Sequence, residues 1–90
     1  MRIAICDDNE IQIGIFMHRI NNFLKRNGDI KALITPYDKG QPLIDDVADG
    51  EWYDIVVLDI VLREENGIEV AKELRLNGYD GNIIFWTAHK

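Results

Sequence analysis

The run Ile55-Val56-Val57-Leu58, closed by Asp59, constrains this chain more than any other stretch. Four consecutive apolar residues, three of them β-branched, leave no side for water. That is the pattern of a strand covered on both faces, and such strands belong to the middle of parallel sheets. Parallel neighbours must be joined by crossover segments, usually helices, and the sequence has them. Ile3-Ala4-Ile5-Cys6 is a second apolar run, followed at once by Asp7 and Asp8. From about Glu10 to Asn27 the period becomes helical: Ile13, Phe16, Met17, Ile20, Phe23 and Leu24 form one stripe, and Asn27-Gly28 stops it. Ile11 and Ile15 fall off that stripe, so the apolar face is wide.

The alternation continues to the end of the sequence. Ile30 to Tyr37 reads as a strand, weakened near its end by Pro36. Asp38 and Gly40 read as a turn, and Pro42 suits the first turn of a short helix carrying Leu43, Ile44 and Val47. That helix ends at Asp49-Gly50, after which Trp52 and Tyr53 are expected to cap the core. Asn66-Gly67 opens a helix with Ile68, Val70, Ala71 and Leu74 inward, closed by Asn77-Gly78. Ile83, Ile84, Phe85 and Trp86 form a fourth strand, ending at Thr87. The order β-α-β-α-β-α-β implies an α/β fold: a parallel sheet with right-handed crossovers and helices over its faces.

Composition narrows the class. With 90 residues there is room for one domain. The net charge of −6 opposes binding to a phosphate backbone, so no direct nucleic-acid contact is expected. A lone cysteine, Cys6, forms no disulfide or metal cluster and suits a reducing cytoplasm. The acidic pair interrupts any signal peptide, and no apolar run nears the ~20 residues of a membrane span. The expectation is a soluble cytoplasmic protein.

In doubly wound sheets, sites form beyond the carboxyl ends of the strands. Those ends carry Asp7, Asp8, Asp59 and Thr87. If the first, third and fourth strands are neighbours, three carboxylates and a hydroxyl share one crevice. Adjacent like charges need a cation, and oxygen ligands favour a hard ion such as Mg2+. A carboxylate is also a workable nucleophile towards a phosphoryl group. Asp59, at the end of the central strand, is the candidate for that role, with Asp7 and Asp8 on the metal and Thr87 on the phosphoryl oxygens. A solvated strand end is the plain alternative for Asp7-Asp8.

Three stretches, "CDDNE", "VVLDIVLREENGIEVAKELR" and "IIFWTA", together resemble the receiver domains of bacterial two-component response regulators, across essentially the whole chain. The resemblance implies a flavodoxin-like (CheY-like) doubly wound sheet of order 2-1-3-4-5, here 2-1-3-4, with a last helix, strand and helix beyond Lys90. It implies phosphotransfer from a sensor histidine kinase to Asp59. Mg2+ would be held by Asp7, Asp8, Asp59 and the backbone carbonyl of Val61, with Thr87 as the switch hydroxyl. The implied role is a signalling phosphoacceptor rather than an enzyme, regulating an output such as transcription. "RIAICDDN" and "NGIEVAKELR" look most like receivers attached to LytTR-type DNA-binding domains. The loop Leu62-Arg63-Glu64-Glu65-Asn66-Gly67 departs from the family pattern, with arginine in place of proline and glutamate in place of a glycine. It is expected to be more charged and more mobile. The resemblance places no match for the family's fifth-strand lysine at Lys90.

Two other readings stand beside this one. An aspartate-nucleophile phosphatase of the haloacid dehalogenase type wants Asp-x-Asp, where this chain has Asp7-Asp8-Asn9. A receiver that is not phosphorylated would act as an interaction module. The 90-residue chain is expected either to be a piece of a longer protein or to self-associate through the fourth-strand edge and the first helix. His18 is read as structural, His89 as exposed, Asp45-Asp46 and Glu64-Glu65 as solvated faces, and Trp52 and Trp86 as core or half-buried aromatics.

Overall fold

The computed structural model describes residues 1–28 and 30–86. Seven elements alternate as read: β1 (Arg2–Cys6), α1 (Glu10–Arg26), β2 (Leu33–Tyr37), α2 (Gly40–Ala48), β3 (Ile55–Asp59), α3 (Gly67–Leu76) and β4 (Asn82–Trp86). All strand pairings are parallel, in the order β2-β1-β3-β4. This is the 2-1-3-4 order of the flavodoxin-like fold. The direction of winding reverses at β1, which opens a crevice between the ends of β1 and β3.

The continuous apolar runs are explained by two cores, one on each face. Ala4, Cys6, Val56 and Leu58 point into a layer shared with Leu43, Ile44 and Val47 of α2 and Val70, Ala71 and Leu74 of α3. Ile3, Ile5 and Val57 point the other way, against Ile13, Phe16, Met17 and Ile20 of α1. With successive side chains on opposite faces, neither parity of β1 or β3 can be polar.

The helix ends follow the sequence. Asn9 caps α1, its side chain accepting from the amides of Ile11 and Gln12, with Glu10 in the first turn and Lys25 and Arg26 in the last. Both placements complement the helix dipole. Gly28, at φ 104°, follows α1 in a left-handed conformation that glycine adopts without strain.

Several expectations are corrected. β2 begins at Leu33 rather than Ile30, yet it keeps Pro36; as the edge strand it can do without one ladder donor. Gly40 is the first residue of α2 rather than part of the preceding turn. Phe23, read as part of the stripe, is exposed, whereas the exposure of Ile11 and Ile15 agrees with their place off it. Tyr53 is no surface cap but a core residue, its hydroxyl 2.6 Å from that of Tyr37, whereas Trp52 is 49% exposed. Among the described residues no helix is long and apolar enough to cross a membrane.

Candidate functional site

Strand register brings the acidic residues together. Cys6 pairs with Leu58, so the residues after β1 lie beside the last residue of β3, Asp59. One carboxylate oxygen from each of Asp7, Asp8 and Asp59 lies within 4.8 Å of the other two. Asp7 and Asp59 are both 2% exposed, while Asp8 is half-buried. Backbone amides hold the two buried acids. The Asp7 amide donates to the Tyr37 carbonyl at 3.0 Å, extending the β1–β2 ladder by a residue. The Asn9 amide donates to Asp7 Oδ1 at 2.9 Å, and the Val61 amide to Asp59 Oδ1 at 3.1 Å. The site is therefore fixed by the sheet and by the first residues of two loops.

The loop from Ile60 to Asn66 closes on itself. The Gly67 amide donates to the Ile60 carbonyl at 2.8 Å, and Val61 bridges Asn66 in antiparallel sense. Glycine at 67 is required by the close approach of α3 to β3. A Cβ there would overlap the carbonyl oxygen of Asp59 and stand 2.9 Å from its carbonyl carbon. Leu62 is buried in the α2–α3 core. Arg63 and Glu64 are exposed and, with Asp8, Asp38, Lys39, Gln41, Leu62 and Glu65, line a cavity of about 330 Å³ beside the acidic cluster. The extra charge expected of this loop is there; the loop is nonetheless tethered by Leu62 and by Glu65.

The negative field of the site reaches the core. Burial foremost, and then the carboxylates of Glu65, Asp7, Asp38 and Asp59, push the Cys6 thiol up to about 12. Cys6 therefore stays protonated and packs as a small apolar group.

Three of the expected site residues, Asp7, Asp8 and Asp59, are thus gathered at one point, and Val61 is joined to Asp59 through its amide. Thr87 lies outside the described residues, as do His89 and Lys90. The donor set fits a hard divalent cation: carboxylate oxygens converging at one end of the sheet, two of them buried. Two groups read as solvated are not. Glu65 is half-buried and accepts the amide of Gly40 at 2.7 Å, and Asp46 accepts the hydroxyl of Tyr37 at 2.6 Å. Neither contact has a local sequence signal, since both partners are distant in the chain. The one available clue is that α2 starts at a glycine after Lys39, which has no acceptor to serve as a cap. His18 lies 3.1 Å from the Asn22 amide on the exposed face of α1, in line with a structural role.

The response regulator receiver domain family model matches residues 3–90. Solved structures agree in fold. The N-terminal domain of a response regulator/sensory box/GGDEF three-domain protein from Carboxydothermus hydrogenoformans superposes at a TM-score of 0.77 with 24% identity, over 100% of this chain and 66% of that one. The response regulator TrrA from Thermotoga maritima, in complex with Mg2+-BeF, gives a TM-score of 0.69 with 31% identity, over 99% of this chain and 70% of that one. The MaeR response regulator bound to beryllium trifluoride gives 0.71 with 27% identity, over 100% and 69%. The chain thus spans about two thirds of the length of these structures. No curated protein matches it.

Proposed function

The chain belongs to the response regulator receiver domain family, and from that premise we propose that it is a phosphoacceptor, taking a phosphoryl group from a sensor histidine kinase onto Asp59. The observation that carries the reading is the convergence of Asp7, Asp8 and Asp59 within 4.8 Å at the reversal of the sheet. Structures bound to a beryllium fluoride or trifluoride occur among its relatives, and one of them holds Mg2+.

In this reading Asp7, Asp8, Asp59 and the Val61 carbonyl hold Mg2+. When bound, the ion offsets negative charge on the transferring group and on the carboxylates. The remaining work falls to the chain. The Val61 amide, bonded to Asp59 Oδ1, orients the carboxylate for attack. A carboxylate oxygen of Asp59 forms the new P–O bond as the P–N bond to the kinase imidazole breaks, and the electron pair leaves on the imidazole nitrogen, which is protonated. Attack of water on phosphorus later returns the carboxylate and inorganic phosphate.

Acetyl phosphate with Mg2+, followed by intact mass, tests the proposal. One added phosphoryl group in the wild type and none in Asp59→Asn is the expected result. A phosphoryl group retained in Asp59→Asn, or none gained by the wild type, refutes it; the latter outcome favours a receiver that serves only as an interaction module. Regulation of transcription, a LytTR-type output domain carrying the DNA contacts, and a cytoplasmic location complete the proposed setting. Self-association is proposed through β4, the outer strand of the described sheet, where Ile84 and Phe85 are exposed.

A further inference from the structure

Helix α2 begins without a cap of its own. Lys39 at the N-cap position makes no side-chain cap bond, and the first turn contains no acidic residue. The first amides of any helix lack partners within it. Pro42 contributes no such amide, and that of Gly40 is met by Glu65, 25 residues further along, whose Oε1 accepts it at 2.7 Å. The contact leaves no room for a side chain. A Cβ on Gly40 would stand 2.5 Å from Val70 Cγ2 and 2.8 Å from Glu65 Oε2. Glu65 thus clasps the start of α2 to the loop that follows β3.

That loop carries a group bonded to a site carboxylate. Val61 bonds Asp59 at one end of it, and Asn66, its bridge partner, adjoins Glu65 at the other. Arg63 and Glu64 of that loop line the 330 Å³ cavity beside Asp8, as do Asp38 and Lys39 just ahead of α2. The Glu65–Gly40 bond joins these two parts of its walls. We propose that Glu65 is a positioning residue for the metal centre. Its clasp on Gly40 fixes the loop whose Val61 backbone completes the oxygen donor set, and sets the spacing of the walls beside Asp8. The inference rests on the metal-dependent reading given above.

The test uses this chain with Mg2+ as the probe. Glu65→Ala removes the acceptor. Glu65→Asp withdraws it by one methylene while keeping the charge, and serves if the alanine variant does not fold. Glu65→Gln keeps an oxygen able to accept from Gly40. Groups bonded directly to metal ligands change affinity by roughly tenfold to a hundredfold; one bond further out, about tenfold weaker Mg2+ binding is expected in Glu65→Ala, with Glu65→Gln within about twofold of wild type. Hydrogen exchange of the Val61 and Gly67 amides in metal-free protein should quicken in Glu65→Ala and Glu65→Asp, and stay at the wild-type rate in Glu65→Gln. A helix cap with no influence on the site would leave those two amides unmoved. Unchanged Mg2+ affinity in Glu65→Ala, with a wild type that binds, overturns the proposal and leaves the metal reading standing. A wild type that does not bind Mg2+ overturns the metal reading; the clasp is then judged by exchange, and unmoved Val61 and Gly67 amides overturn it.

Discussion

Replacing Asp8 by asparagine should make the metal-free protein more stable. With one unit charge on each carboxylate and 4.8 Å as the outer limit of their separation, each pair repels by about 0.9 kcal/mol at the dielectric of water and about 3.5 kcal/mol at an effective value of 20. Asp8 faces two such neighbours. It is half-buried, so the lower figure is nearer, and the relief comes to about 2 kcal/mol at low salt. Among the described residues no hydrogen bond is forfeited, because the amides of Asn9 and Val61 go to Asp7 and Asp59 rather than to Asp8. Mg2+ reverses the comparison. At a metal concentration a hundred times its dissociation constant, the wild type gains about 2.7 kcal/mol, whereas a variant binding a hundredfold more weakly gains about 0.4 kcal/mol. The lead of the variant is then erased. Urea unfolding followed by far-ultraviolet circular dichroism, with chelator and with Mg2+, measures both states. An Asp8→Asn protein less stable than wild type in chelator would refute the electrostatic reasoning, and an equal Mg2+ gain in both would remove Asp8 from the ligand set.

Gly67→Ala should cost about 2–4 kcal/mol, from overpacking against the Asp59 backbone plus the lost Gly67–Ile60 hydrogen bond. In a domain this size that lowers the melting temperature by roughly 10–25 °C, and a shift of under a few degrees would deny the close approach. Stability should also decline in alkali. The folded Cys6 thiol keeps its proton up to about 12 while the unfolded one releases it from its ordinary value of 9.0. Above pH 9 the unfolded state therefore binds fewer protons, and stability falls by at most about 1.4 kcal/mol per pH unit. Burial first, and then hydrogen bonds with Asp46 and Tyr53, also push Tyr37 up, in the same direction. Cys6→Ala should give a shallower decline between pH 9 and pH 10 in denaturant titrations, and an unaltered slope would contradict the assignment to Cys6.

The strands and helices were legible because their signals are local: apolar runs for β1 and β3, a 3.6-residue period for α1, asparagine and glycine at helix ends. The acidic cluster was legible because strand order and strand ends together determine what meets at the switch point. What the sequence did not disclose depends on angle or on distance along the chain. Phe23 stands about 80° around the helix from Ile13, at 100° per residue, and so falls at the margin of the stripe, while Leu24 returns to within about 20°. Only Leu24 is buried. α1 is the one described helix packed on its face of the sheet, so among the described residues no second helix lies beside that margin. Glu65 and Gly40 looked like a surface charge and a turn residue because what explains them, their bond to each other and the approach of Val70 to Gly40, lies far along the chain. Gly67 looked like a helix opener, when the backbone of Asp59 is what forbids a side chain there.

Asp59 pairs in the β3–β4 ladder with Trp86, and the next amide, of Ile60, donates to the Trp86 carbonyl at 3.1 Å. The Trp86 ring lies 5.2 Å from that of Phe16, and its indole N–H is buried without a hydrogen-bond partner among the described residues. The other of the two tryptophans, Trp52, is exposed just ahead of β3, at the opposite end of the sheet. The molecule therefore offers an optical gauge. One indole packs against Phe16 a ladder step from the carboxylate, so its emission is expected to change with the charge at Asp59. The other, half exposed at the far end, is the expected background. Light from the first, excited without any added label, would then report on the state of Asp59.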